Sequence, residues 1–169
     1  MNNLNSSEYH PYYELYLSKC SFMHIIEGLE QSGKEFETFL KSIPVEKQLF
    51  KYAPDKWTIK EVLVHIIDTE RIFAYRSLRI ARRDVTALPG FDQDEYVLNC
   101  NANSRNFEEL ISEFISVRNA TISLFKSFNA EDLLQKGTAS NNPISVRALG
   151  YILIGHQNHH QEIIEERYL

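Results

Sequence analysis

The chain has 169 residues, 43% hydrophobic and 24% charged, with a formal net charge of −5. This apolar content suffices for one core, so we expect a single domain over residues 1–169, and the acidic balance disfavours nucleic acid and anionic membranes as partners. No apolar run approaches the roughly 20 residues that cross a bilayer and residues 1–7 lack the parts of a signal peptide, so we expect a soluble cytoplasmic protein.

Four long helices are predicted, because glycine and proline fall mostly where periodic segments end. The first covers residues 16–43, where apolar side chains recur at helical intervals. The second opens at Thr58 with Glu61 three positions later, which is a capping box, and ends near Arg83. A long connector over residues 84–103 follows, and connectors of this size are often functional.

The third helix begins at Ser104 or Asn106 and has the clearest periodicity in the chain. For the fourth, Asn142 is placed as N-cap and Pro143 as first helical residue, and the helix continues to about Tyr168. No convincing strand alternation occurs. The pattern therefore predicts an all-α fold, an antiparallel four-helix bundle.

Two histidines interrupt the inward stripe of the fourth helix, where a bundle ordinarily has leucine. His156 and His160 are four residues apart, so both imidazoles can reach one ion at about 2.0–2.1 Å. The alternative is that both are core histidines that bind no metal and form hydrogen bonds with a carbonyl or a carboxylate. His159 points about 100° away from His160, so we expect it to lie on the flank or to support a ligand from outside.

The second helix offers a third ligand, His65, which lies on the flank of its apolar stripe. The sequence leaves open whether this flank faces the fourth helix. Glu70 falls nearer the middle of the stripe and needs a partner there, either Arg118 or a ligating histidine. The two cysteines, Cys20 and Cys100, are far apart and predict free thiols rather than a disulfide.

Three segments resemble the DinB/YfiT-like family. Residues 52–76, YAPDKWTIKEVLVHIIDTERIFAYR, resemble its second-helix signature, residues 155–160, GHQNHH, its last-helix signature, and residues 88–94, LPGFDQD, the connector between them. The resemblance implies an up-down four-helix bundle of distinctive connectivity. It also implies one divalent metal ion, most often nickel or zinc, held by His65, His156 and His160.

Relatives in this family are similar to thiol transferases that use bacillithiol or mycothiol, and others are assigned as hydrolases. The resemblance thus favours a small-molecule substrate and a metal-dependent transfer of a low-molecular-weight thiol to an electrophile, since a cation lowers the pKa of a bound thiol. One alternative is hydrolysis, with Glu61 or Asp68 accepting a proton. Another is a metal-sensing, metal-holding or stress-related bundle without catalysis.

Further candidates are weaker. Glu61, Asp68, Glu70 and Arg76 are candidate catalytic residues. Four charged residues could line the binding site of a charged cosubstrate, namely Arg76, Arg79, Asp92 and Asp94. Exposed aromatics suggest a homodimer, as in relatives, and the candidates are Tyr12, Tyr13 and Tyr75. A di-iron carboxylate site is disfavoured, because it needs Glu-x-x-His on two helices.

Overall fold

The computed structural model describes residues 4–169, within which lie seven α-helices and one two-stranded sheet. The helices are α1 (Glu14–Leu17), α2 (Ile25–Ser42), α3 (Ile59–Ala81), α4 (Gln93–Asn99), α5 (Phe107–Lys126), α6 (Ala130–Leu134) and α7 (Val146–Arg167). The strands are β1 (Lys136–Ala139) and β2 (Asn142–Ser145). Short 3-10 turns occupy Ser6–Glu8, Pro11–Tyr13, Val45–Lys47 and Ala102–Ser104.

The four long helices α2, α3, α5 and α7 form the bundle. Both α2 and α3 pack against α5 and α7, so α2 and α3 lie on one diagonal of the bundle and α5 and α7 on the other. One end of the core combines the start of α2 with the end of α3, the end of α5 and the start of α7. The expected four-helix bundle is confirmed, with an up-down-down-up order in which α3 and α5 run parallel.

Side-chain caps explain where the long helices begin. The predicted capping box of α3 is present, because the Thr58 hydroxyl accepts from the Glu61 amide and the Glu61 carboxylate accepts from the Thr58 amide. Asn106 caps α5, so the second of the two predicted starts is correct. Such caps satisfy amides that have no partner within the helix.

The expected first helix over residues 16–43 is wrong in its first part, because α2 starts at Ile25. The preceding residues, 5–20, form an N-terminal arm of short turns and α1 that lies across α7. Glu8 anchors the arm, since its carboxylate accepts hydrogen bonds from Ser145 and from the Arg147 guanidinium. These long-range contacts override the helical periodicity of the segment.

The expected start of the fourth helix at Asn142 and Pro143 is also wrong, as is the expected absence of strands. Both residues belong to β2, which pairs with β1 in an antiparallel hairpin. Ser140 and Asn141 form its two-residue turn with φ values of 51° and 64°, the conformation that tight hairpins require. Ser145 caps α7 instead, by accepting from the Ala148 amide.

The connector between α3 and α5 is ordered by contacts with the hairpin. Leu88 is buried and forms a parallel bridge with Ala139, and Asp92 caps α4. The connector returns along the bundle from the end of α3 to the start of α5. It contacts α3 on the way, because the Pro89 carbonyl accepts a hydrogen bond from Arg76 and α4 packs against α3.

None of the helices within residues 4–169 combines the length and the apolar character that a membrane span requires.

Candidate metal centre

His65, His156 and His160 converge between α3 and α7. The Nε2 atoms of His65 and His156 lie 3.0 Å apart, and one ligand atom from each of the three histidines lies within 4.8 Å of the others. Two imidazole nitrogens bound to one ion at about 2.1 Å, about 90–110° apart, lie roughly 3.0–3.4 Å from each other. The spacing of His65 and His156 therefore suits a shared ion.

Packing holds the imidazoles in place. Helix α3 turns the flank with His65 toward α7, which the sequence left undecided. The Trp57 ring packs against His65 with centroids 4.9 Å apart, and the Tyr16 ring packs against His156 at 5.2 Å. Both histidines are buried, which restricts their rotamers and positions the nitrogen lone pairs in advance.

Burial keeps the three imidazoles neutral. It lowers the pKa of His65 to about 4, and it lowers the pKa of His156 and His160 well below the usual value, with a contribution from the neighbouring histidines. No carboxylate within residues 4–169 forms an ion pair with any of them. Three neutral nitrogen donors that face one point form a donor set that fits a divalent transition metal such as zinc or nickel.

The predicted acidic residues do not join the histidines. Glu61 lies in the capping box of α3 and also accepts from Asn103, while Asp68 faces Arg71. Glu70 accepts two hydrogen bonds of 2.8 Å from Arg118, and both side chains are buried. Arg118, the first of the two predicted partners, is therefore confirmed. Because both carboxylate oxygens of Glu70 bind Arg118 in the core, Glu70 does not contact the histidines.

A cavity of about 420 Å³ opens beside the triad, with His65 and His156 in its lining. The N-terminal arm covers it with Tyr12, Tyr13 and Tyr16. Sequence reasoning missed this role because it placed Tyr16 in a continuous helix. The aromatic spacing of the segment does not distinguish a helix from an arm.

Arg76 also lines this cavity, as predicted for a wall residue. It lies on the same helix as His65 and donates to the Pro89 carbonyl and to the Ser140 hydroxyl. Arg79 does not line the cavity, because it pairs with Asp84 and donates to the Tyr75 hydroxyl.

A smaller cavity of about 220 Å³ adjoins the third histidine of the triad. His160 lines it, together with Asp94 from the connector and Trp57. Asp92 is instead the N-cap of α4. The triad therefore contributes to two cavities, one lined by His65 and His156 and the other by His160.

The remaining histidines and cysteines lie apart from the triad's ligand atoms. His159 is half-buried on the flank of α7, where its ring packs against Tyr16. His24 is exposed at the start of α2, and His10 contributes to the rim of the larger cavity. Cys20 and Cys100 are free thiols, as predicted.

Comparisons with known proteins agree with this fold. A sequence model of the DinB superfamily matches residues 28–164. A similar solved structure is that of YfiT from Bacillus subtilis, described as a probable metal-dependent hydrolase with an unusual four-helix bundle topology. The two chains share 13% identity with a TM-score of 0.76, over 84% of this chain and 82% of YfiT. No curated protein matches the sequence.

Proposed function

This chain belongs to the DinB superfamily, as its motifs predicted, and from that premise we propose that it is a metal-dependent enzyme that transfers a low-molecular-weight thiol to an electrophile. The ion is held by His65, His156 and His160. The observation that supports this proposal is the convergence of three neutral imidazoles, two buried and one half-buried, beside a cavity of about 420 Å³. A cavity of that size suits a small organic molecule.

Three nitrogen ligands leave coordination positions free for a small molecule, as in catalytic rather than structural sites. A divalent ion there lowers the pKa of a thiol or of a water that binds to it. The protein contributes packed imidazoles, an aromatic cover from the N-terminal arm, and two cavities that the three histidines line. Two cavities suit a reaction with two substrates.

Thiol transfer is favoured over hydrolysis by the distribution of carboxylates. Within residues 4–169, the lining of the larger cavity contains no aspartate or glutamate. Hydrolysis there lacks a carboxylate base, since Glu61 and Asp68 have other partners. A thiol ionises far more readily than water and needs less help from a base.

Hydrolysis is the second candidate, and one observation favours it. Asp94 lines the smaller cavity together with His160, so its carboxylate is available to a water on that side. YfiT is itself described as a probable metal-dependent hydrolase.

The two reactions separate in one experiment. The purified protein is reconstituted with zinc or nickel and given cysteine or glutathione with monobromobimane, or 4-nitrophenyl acetate without thiol. We expect metal-dependent thiol consumption that disappears in His156→Ala and persists in His159→Ala. Ester hydrolysis that needs Asp94 and no thiol would favour the second candidate, and bound metal without either turnover would favour a metal-holding role.

We also propose that residues 1–169 form one domain and that two copies of the chain form a homodimer through exposed tyrosines. Tyr12 and Tyr75 expose 63% and 53% of their surface, whereas Tyr13 lines the cavity and is half-buried. Sedimentation of the wild type beside Tyr75→Ser tests the dimer, which the substitution is expected to weaken.

A further inference from the structure

Arg76 places a buried positive charge in the wall of the larger cavity. We propose that this cavity selects a small organic anion, whose carboxylate or phosphate binds Arg76 while an apolar body extends toward the histidine triad. The inference rests on the proposed function, because it names the substrate class of the same site.

The charge of Arg76 has no counter-charge among the residues that the structure describes. The residue is 2% exposed, and no carboxylate within residues 4–169 forms an ion pair with it. One terminal nitrogen donates to the Pro89 carbonyl at 2.7 Å and to the Ser140 hydroxyl at 3.1 Å, and the other polar neighbour is the Tyr13 hydroxyl. All three partners are neutral. A buried guanidinium without an anion is unfavourable, and a bound carboxylate or phosphate would relieve this.

The rest of the lining suits an apolar body rather than a second charge. The guanidinium carbon lies 5.2 Å from the Phe73 ring centroid and 5.9 Å from that of Phe91. Tyr13 and Tyr16 from the arm complete an aromatic enclosure. Since this lining contains no aspartate or glutamate, the charge of Arg76 makes the electrostatic potential in the cavity positive.

A second polar group in the cavity also lacks a hydrogen-bond partner in the described part of the chain. The Thr69 hydroxyl is buried and has no hydrogen-bond partner within residues 4–169. Thr69 lines the cavity one turn after His65 on α3. An unpaired buried hydroxyl is unfavourable, so a polar ligand atom beside Thr69 would supply the missing hydrogen bond.

These groups lie in a row along one helix face. Relative to His65, Thr69 and Arg76 are rotated by only about 40° and 20° on an ideal helix, and Arg76 lies about 16 Å further along the axis. The Arg76 side chain extends back over Phe73, which brings its charge closer to the triad. The row fits an elongated ligand with its anionic group at Arg76 and its reacting group at the histidines.

Calorimetry on the protein as purified, with its metal content measured, tests this inference. The probes are 3-phenylpropionate, its neutral amide 3-phenylpropionamide, and 2-phenylethylphosphonate. We expect at least one of the two anions to bind about tenfold to a hundredfold more tightly than the amide, as for a charge-assisted hydrogen bond. The tighter anion identifies carboxylate or phosphate as the preferred group.

Variants assign the preference to Arg76. Arg76→Gln is expected to reduce it below twofold, Arg76→Lys to keep part of it, and Arg79→Gln, on the same helix but outside the cavity, to leave it unchanged. If Arg76→Gln does not fold, the wild type and Arg76→Lys decide. Equal binding of acid and amide by the wild type, or a preference that survives in Arg76→Gln, would overturn the inference.

Failure of the proposed function gives a different result. Protein that takes up no metal and yet prefers the anions would refute the metal-dependent reaction and leave the Arg76 assignment standing. Protein that binds metal but binds the acid and the amide equally would refute the Arg76 assignment and leave the metal-dependent reaction standing.

Discussion

Replacing Gly155 with alanine should release the N-terminal arm from α7. A Cβ atom at this position would lie 1.8 Å from the Tyr16 carbonyl oxygen and 2.6 Å from its carbonyl carbon. The arm backbone would have to move by roughly 1.5 Å to restore ordinary contact. Rearrangement of a well-packed interior costs about 1–3 kcal/mol, and a clash with backbone belongs at the upper end of that range.

Gly150→Ala is a matched control on the same helix. Its Cβ would meet only side-chain atoms, at 2.8 Å from Ile25 and from Phe125, which can change rotamer. We therefore expect Gly150→Ala to lower the free energy of unfolding while the arm stays docked. Gly155→Ala should lower it and also undock the arm.

The thiol of Cys20 reports on docking. It lies at the end of the arm, is 6% exposed, and has a pKa raised by burial. In a Cys100→Ser background, we expect a thiol-specific reagent to modify Cys20 much faster in Gly155→Ala than in the wild type or in Gly150→Ala. Gly155→Ala with wild-type stability and a protected Cys20 would refute this account of the arm.

Two further predictions concern charged side chains. The Arg147 guanidinium holds the pKa of Glu8 at about 2, so its stabilisation is complete above the unfolded pKa of about 4.5 and is lost as the pH falls toward 2. This loss amounts to about 3 kcal/mol at most, and urea unfolding at several pH values should show a shallower pH dependence in Glu8→Gln. Glu70→Ala leaves the Arg118 charge buried and should cost about 3–5 kcal/mol. By contrast, Glu30→Gln breaks an exposed pair with Lys126 and should leave the melting temperature unchanged. Equal effects of these last two substitutions would contradict the assigned role of burial.

Local signals predicted the parts of the fold that depend on neighbouring residues. The capping box at Thr58 was predicted, and Asn106 was one of the two predicted caps of α5, because a cap involves residues within one turn. The arm and the hairpin were missed because they depend on distant partners. Glu8 binds side chains near the start of α7, and the turn at Ser140 and Asn141 lacks the glycine that usually marks such turns.

The site shows the same division. The i, i+4 spacing of His156 and His160 predicted two of the three histidines, and the family resemblance favoured His65 as the third. Whether α3 faces α7 with that flank depends on packing that no local pattern encodes. The position of Arg76 in the cavity wall was suggested, but the absence of an acidic partner is visible only in three dimensions.

We propose that one ion binds His65, His156 and His160. Elemental analysis of the reconstituted wild type tests it most directly, beside alanine variants at each of these positions and at His159, with circular dichroism to show that each is folded. We predict near-stoichiometric nickel or zinc in the wild type and in His159→Ala, and loss of the ion in the other three. A folded wild type that takes up no metal, or triad variants that keep it, would contradict the account.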